Sequence, residues 1–171
     1  MCGLAQANNW RVATLVDEAH NLVERGRQMY SASLDQSALN AVRKTAPEAL
    51  KKSLQRVHRE WNALHNQQLG AYQAYDRAPE KLLQALFSCS ASIGDYLNDH
   101  PQGVDSGLQN FYFDMLQFGR VAELFDEQYL FDISKRDLER KHNLSTLCLR
   151  NVVPAGFIRP RLTASRTTVL F

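Results

Sequence analysis

The chain has 171 residues and a formal net charge of +2 from 20 basic and 18 acidic side chains; 44% of it is apolar and 22% charged, with 8 glycines and 5 prolines. This is the composition of a globular domain, and no run approaches the roughly 18 apolar residues of a transmembrane helix, so disordered, collagen-like and membrane-spanning classes are excluded. The first ten residues lack the basic-then-apolar order of a secretory leader, and three scattered cysteines, Cys2, Cys89 and Cys148, supply neither a disulfide framework nor a four-thiolate metal site; a reduced, cytoplasmic protein with no membrane partner is expected.

Residues 11–16 form an apolar run without polar alternation, which reads as a fully buried strand of a parallel sheet. Residues 22–30 follow as a short amphipathic helix, weakened at Gly26. Pro47 suits the first turn of the next helix, where its missing N–H costs little. From there Leu50, Leu54, Val57, Trp61 and Leu64 line one face at helical spacing, opposite Lys51, Lys52 and Arg59. Pro79 opens another helix carrying Leu82, Leu83, Leu86, Phe87, Ile93 and Leu97, and the breaker at 100–103 closes it. A further helix is expected over 106–128, with Leu108, Phe111, Tyr112, Met115, Phe118, Ala122 and Phe125 on its stripe. Such stripes are the core of a helical bundle rather than a cofactor box. After Gln128, two short strands at 129–133 and 145–149 flank a polar, basic connection at 134–143. Residues 154–156 break the chain, a short segment with Phe157, Ile158 and Leu162 follows, and 167–171 form a last apolar strand. A bare apolar strand at a chain end is an aggregation hazard, so a piece of something longer is expected.

Charge is uneven along this plan. Residues 36–75 carry six bases against two acids, 76–127 carry three against nine, and 128–171 carry eight against three. Two basic stretches around an acidic one suit a surface that contacts phosphate on one side, although solvated helix faces give the same pattern.

The string with chemical content is Leu15-Val16-Asp17-Glu18-Ala19-His20. A buried strand ends in two adjacent carboxylates and a helix begins directly after. Ligands of open α/β sheets bind outside the carboxyl ends of the strands, which puts Asp17 and Glu18 at such a site. In nucleotide hydrolysis adjacent acids divide the work: the first holds Mg²⁺ while the metal bridges the β- and γ-phosphates, and the second orients the attacking water. His20, a short turn away, is placed to sense the assembled phosphate side. The competing explanation is a helix N-terminus whose acids complement the dipole.

Val16-Asp17-Glu18-Ala19-His20-Asn21-Leu22, followed by Arg25, Arg27 and Met29-Tyr30-Ser31-Ala32, resembles motif II of the iron–sulfur DNA helicases of superfamily 2, the XPD/DinG type, and within it a bacterial YoaA-like branch. Arg159-Pro160-Arg161-Leu162 through Thr167–Phe171 is similar to that family's approach to motif III. The resemblance implies a mainly α fold: a helical Arch-type insertion with short strands, flanked by two strands of an incomplete parallel α/β motor-domain sheet. It implies a motor segment with the DEAH box at 1–34, the insertion at 35–153 and the return at 154–171. It also implies ATP and Mg²⁺ as cofactors of the intact parent, single-stranded DNA as partner, Asp17 as the Mg²⁺ residue, Glu18 as the water-activating residue and His20 as the coupling residue. The sequence departs from the family in having no Gly-x-Gly-Lys-Thr loop and no cluster-forming set of four cysteines. The iron–sulfur cluster is therefore expected upstream, and the chain alone is expected not to hydrolyse ATP.

The basic residues Arg43, Lys44, Lys51, Lys52, Arg56, Arg59, Lys135 and Arg136, with Trp61, Tyr72 and Tyr75 nearby in sequence, are candidates for contact with single-stranded DNA. His58 and His65 share a helix but lack a carboxylate at ligand spacing, and are read as surface or bundle-edge histidines. The alternative function is a standalone helical module that binds DNA or protein without ATPase activity.

Overall fold

The computed structural model describes residues 7–8, 12–101, 105–136, 144–165 and 167–170. In chain order the elements are β1 (Ala13–Val16), a 3-10 turn (Ala19–Asn21), α1 (Leu22–Met29), β2 (Ala32–Asp35), α2 (Gln36–Thr45), α3 (Glu48–Gln67), β3 (Tyr72–Tyr75), α4 (Glu80–Asp99), α5 (Ser106–Ala122), β4 (Tyr129–Arg136), β5 (Leu144–Asn151), α6 (Ala155–Thr163) and β6 (Thr167–Leu170). The fold is mainly α, with two small sheets. Residues 1–30 and 151–171 form one compact unit and residues 31–150 the other. β2 belongs to the second unit, paired with β5 from Ala32↔Leu149 to Asp35↔Thr146.

In the first unit β1 and β6 pair in parallel, Ala13↔Thr167 through Val16↔Leu170, so the two apolar runs that bracket the sequence lie side by side. The expectation of a fully buried strand at 11–16 is corrected: Leu15 is 71% exposed and Val12 40%, and Val169 in the partner strand is 43% exposed. Burial on both faces needs layers above and below a wide sheet, and among the described residues this sheet has two strands only. Arg11 and Phe171, at the ends of the expected runs, lie outside the described residues. α1 packs on α6 at Gly26, where an added Cβ would stand 2.7 Å from Ile158 Cδ1. The Tyr30 and Phe157 rings stack at 4.0 Å, and Arg27 Nε donates to Val152 O at 2.9 Å.

The second unit packs helices against a four-stranded sheet of order β2-β5-β4-β3. The periodic residues are its core: Leu50, Leu54, Val57 and Trp61 of α3, Leu82, Leu86 and Ile93 of α4, and Leu108, Phe111, Met115 and Phe118 of α5 are all buried. The strands contribute Leu34, Phe131, Ile133, Leu147 and Leu149. Pro47 is the N-cap of α3, one position outside the expected first turn. Phe87 departs from its expected stripe: it is 45% exposed and its ring covers Gly119. α5 ends at Ala122, not Gln128, because the main chain tightens there, Leu124 N–H donating to Val121 O and Phe125 N–H to Ala122 O, before Asp126 Oδ1 accepts Gln128 N–H at 2.8 Å. Residues 137–143 of the expected basic connection lie outside the described residues. α2 starts where Asp35 Oδ1 accepts the Ser37 N–H at 2.7 Å, a side-chain N-cap.

Candidate functional site

The acidic pair leaves the carboxyl end of β1. Asp17 and Glu18 form a turn, and a three-residue 3-10 segment stands between them and α1 in place of the immediate helix expected. Glu18 has φ 54° and ψ 44°, the one non-glycine residue with positive φ among the described residues. An L side chain there costs on the order of 1–2 kcal/mol, and local hydrogen bonds offset it. Glu18 N–H donates to Asp17 Oδ1 at 2.8 Å, and Asn21 N–H to Glu18 O at 2.8 Å. The strained turn throws the Glu18 carboxylate outward, where Oε2 lies 3.2 Å from His20 Nε2 and 3.5 Å from Asn21 Nδ2. Asp17, Glu18 and His20 are all exposed and adjoin one another.

This site can accept a cation or a proton, but it holds no dense ligand set. Among the described residues no group of three or more His, Cys, Asp or Glu side chains converges. Asp17 is exposed, and its Oδ2 makes no hydrogen bond among those residues. Mg²⁺ commonly takes one or two carboxylates plus substrate phosphates rather than a full protein cage, and Asp17 fits that role.

The eight basic candidates separate into two groups. Arg59 pairs with Glu60 at 2.9 Å, Arg136 with Asp35 at 2.9 Å and Lys51 with Glu48 at 2.6 Å. Lys135 Nζ donates to Gln68 O at 2.7 Å, part of the packing between β4 and the end of α3. Lys44, Lys52 and Arg56 are exposed and make no hydrogen bond or ion pair among the described residues. Arg43, Lys51 and Lys52 line one cavity with Leu54 and Gln55. The structure thus brings Arg43 of α2 together with Lys51 and Lys52 of α3, while Arg59, Lys135 and Arg136 each meet an acceptor elsewhere in the chain.

One polar chain escapes sequence reasoning. Trp61 Nε1–H donates to Ser145 Oγ at 2.9 Å, Ser145 N–H and Oγ–H donate to Gln36 Oε1 at 3.0 and 3.1 Å, Gln36 Nε2 donates to Asn62 Oδ1 at 2.8 Å, and Asn62 Nδ2 meets His58 Nε2 at 3.0 Å. A main-chain N–H can only donate, so Ser145 fixes which way Gln36 faces, Gln36 fixes Asn62, and Asn62 makes His58 Nε2 an acceptor. Neutral His58 therefore carries its proton on Nδ1, which is buried and has no partner among the described residues. Burial first, and the Arg43 charge second, lower the His58 pKa. His65 is buried, not a surface residue, and its pKa is lowered by burial and then by Lys135. The one sequence cue was the His58/Asn62 spacing of four on a helix beside a core tryptophan that needs an acceptor.

The chain matches no protein-family model and no curated protein. No helix among the described residues is long and apolar enough to cross a membrane.

Proposed function

We propose that this chain is the DEAH-box segment, Arch-type insertion and return strand of an ATP-dependent DNA helicase of the XPD/DinG iron–sulfur type. The observation that carries the reading is the parallel β1–β6 pair with Asp17, Glu18 and His20 turned out from the carboxyl end of β1. That is where open α/β sheets hold their ligands, and the left-handed Glu18 is the kind of strained residue found at working sites. In this reading Asp17 holds Mg²⁺, and the metal supplies neutralisation of phosphate charge. Glu18 is the base that orients water, and the His20 contact to its carboxylate links that base to the state of the bound strand. The phosphate-binding loop, the cluster cysteines and the second motor domain belong to other parts of the parent, so the isolated chain has no sustained ATPase activity.

The test is Glu18→Gln in the parent protein that carries this segment. ATP hydrolysis should be abolished while DNA binding persists; unchanged turnover removes Glu18 from the mechanism. The second reading, a DNA- or protein-binding module without ATPase activity, is favoured by Lys44, Lys52 and Arg56, which are exposed and have no ion-pair partner among the described residues. Under it, charge reversal at Lys51, Lys52 and Arg56 abolishes DNA binding and Glu18→Gln changes nothing.

A further inference from the structure

Among the described residues, Arg43 is held differently from the other hydrogen-bonded arginines of its unit. Arg59, Arg136 and Arg150 each donate to a carboxylate, of Glu60, Asp35 and Asp132, at 2.9, 2.9 and 2.8 Å. Arg43, in the last turn of α2, donates instead to two neutral amide oxygens, Asn40 Oδ1 at 3.3 Å and Gln55 Oε1 at 2.5 Å. Amides orient a guanidinium without cancelling its charge. Two of its five N–H groups are used, so Nε and one hydrogen on each terminal nitrogen remain to donate. The group is also partly withdrawn from water: burial lowers its pKa, and its charge acts on His58.

Around it stands a cavity of about 330 Å³ lined by Arg43, Lys51, Lys52, Leu54 and Gln55, with no carboxylate among them. Lys51 has a partner, Glu48, whose side chain is itself 87% exposed; Lys52 has none among the described residues. An oriented arginine with no carboxylate partner among the described residues, two lysines and an amide in one concavity are matched to a compact oxyanion. The planar guanidinium fork suits phosphate oxygens, and lysines add point charge.

We infer that this cavity between α2 and α3 binds a phosphate group, with Arg43 as the anchoring donor and Lys51 and Lys52 as flanking charges. The phosphate comes either from the backbone of a single nucleic-acid strand or from a small phosphorylated molecule; the recognition chemistry is the same. The site stands on its own geometry and does not depend on the nucleotide-hydrolysis role of Asp17 and Glu18, which lie in the other unit.

The experiment titrates the full chain with inorganic phosphate, followed by the NMR signals of the Arg43 Nε–H and the His58 imidazole. A short oligodeoxythymidylate is titrated in parallel by fluorescence anisotropy at several salt concentrations. Phosphate is expected to shift the Arg43 signal saturably and to raise the pH at which His58 protonates, since the bound anion offsets the Arg43 charge. Arg43→Gln should weaken phosphate binding about tenfold, the loss of one or two charge-assisted hydrogen bonds. Arg59→Gln, whose charge already meets Glu60, should change it less than about twofold. Lys52→Gln, at an exposed position, should weaken it severalfold and stands in should Arg43→Gln fail to fold. If a nucleic-acid strand is the source, Arg43→Gln also weakens oligonucleotide binding and lowers its salt slope by about one; if a small molecule is, phosphate binds and the oligonucleotide response is indifferent to Arg43. A linear, non-saturating shift, or equal losses for Arg43→Gln and Arg59→Gln, overturns the proposal.

Discussion

Replacing Ser145 by alanine removes one oxygen with two roles: it accepts the Trp61 indole N–H at 2.9 Å and donates to Gln36 Oε1 at 3.1 Å. The two partners respond differently. Gln36 Oε1 keeps the Ser145 main-chain N–H at 3.0 Å, so it stays satisfied. Trp61 is fully buried, and its N–H is left with no acceptor. An orphaned buried donor costs about 1–3 kcal/mol, so Ser145→Ala should destabilise the protein by about 2 kcal/mol. Trp61→Phe removes the same donor and leaves a cavity with a cost of its own. In that background Ser145→Ala orphans nothing and should cost less than about 1 kcal/mol. Urea unfolding of the four proteins, followed by far-UV circular dichroism with m-values compared, yields the coupling energy. A Ser145→Ala cost that is the same in both backgrounds would refute the claim that the indole is satisfied by this hydroxyl.

The Asp132 side chain is 2% exposed and paired with Arg150 at 2.8 Å, so Arg150→Ala strands a buried carboxylate and should cost about 3 kcal/mol in urea unfolding; a loss below about 1 kcal/mol would mean the carboxylate finds another partner. His58 and His65 both have folded pKa values below the ordinary imidazole value of 6.5, because burial and then a neighbouring cation disfavour the charged ring. The unfolded chain therefore binds protons first, and stability should decline as pH falls below about 6.5 and level off once the folded-state imidazoles also protonate. For His58 the added proton on Nε2 would also face the Asn62 amide donor, so His58→Gln should flatten that decline in unfolding measured between neutral and mildly acidic pH. Gly26→Ala would place a Cβ 2.7 Å from Ile158 Cδ1 and 3.0 Å from Pro154 Cβ. The overpacking, about 1–3 kcal/mol, outweighs a helix-propensity gain of about 1 kcal/mol, and faster amide exchange in α1 and α6 but not in α3 would register it.

The long helices were legible because seventeen to twenty residues repeat a 3.6 period often enough to show it; α3, α4 and α5 carry their expected cores at Leu54, Leu86 and Met115. β2 and β3, four residues each, are too short for alternation to stand out, and the α2 stripe rests on Leu39 and Val42. Length alone does not explain Phe87 or the end of α5. Phe87 sits on Gly119, a small residue of another helix, and only packing reveals that a ring can lie there half in water. Around the candidate site, the string from Val16 to His20 was readable as chemistry, whereas the left-handed backbone of Glu18 that aims its carboxylate was not.

What the sequence determined by itself is local: where the long helices run, that two apolar runs bracket them, and that an acidic pair and a histidine follow the first run. The tertiary structure decided everything that depends on distant residues meeting. It brought residues 13–16 beside 167–170, set Gln36 against Ser145 across 109 positions, and oriented Arg43 with an amide from a different helix. The physical reason is range. Helical periodicity is imposed by hydrogen bonds four residues apart and is written into every turn. The worth of a charge or a buried donor depends on which group the fold brings within about 3 Å of it, and sequence spacing does not encode that.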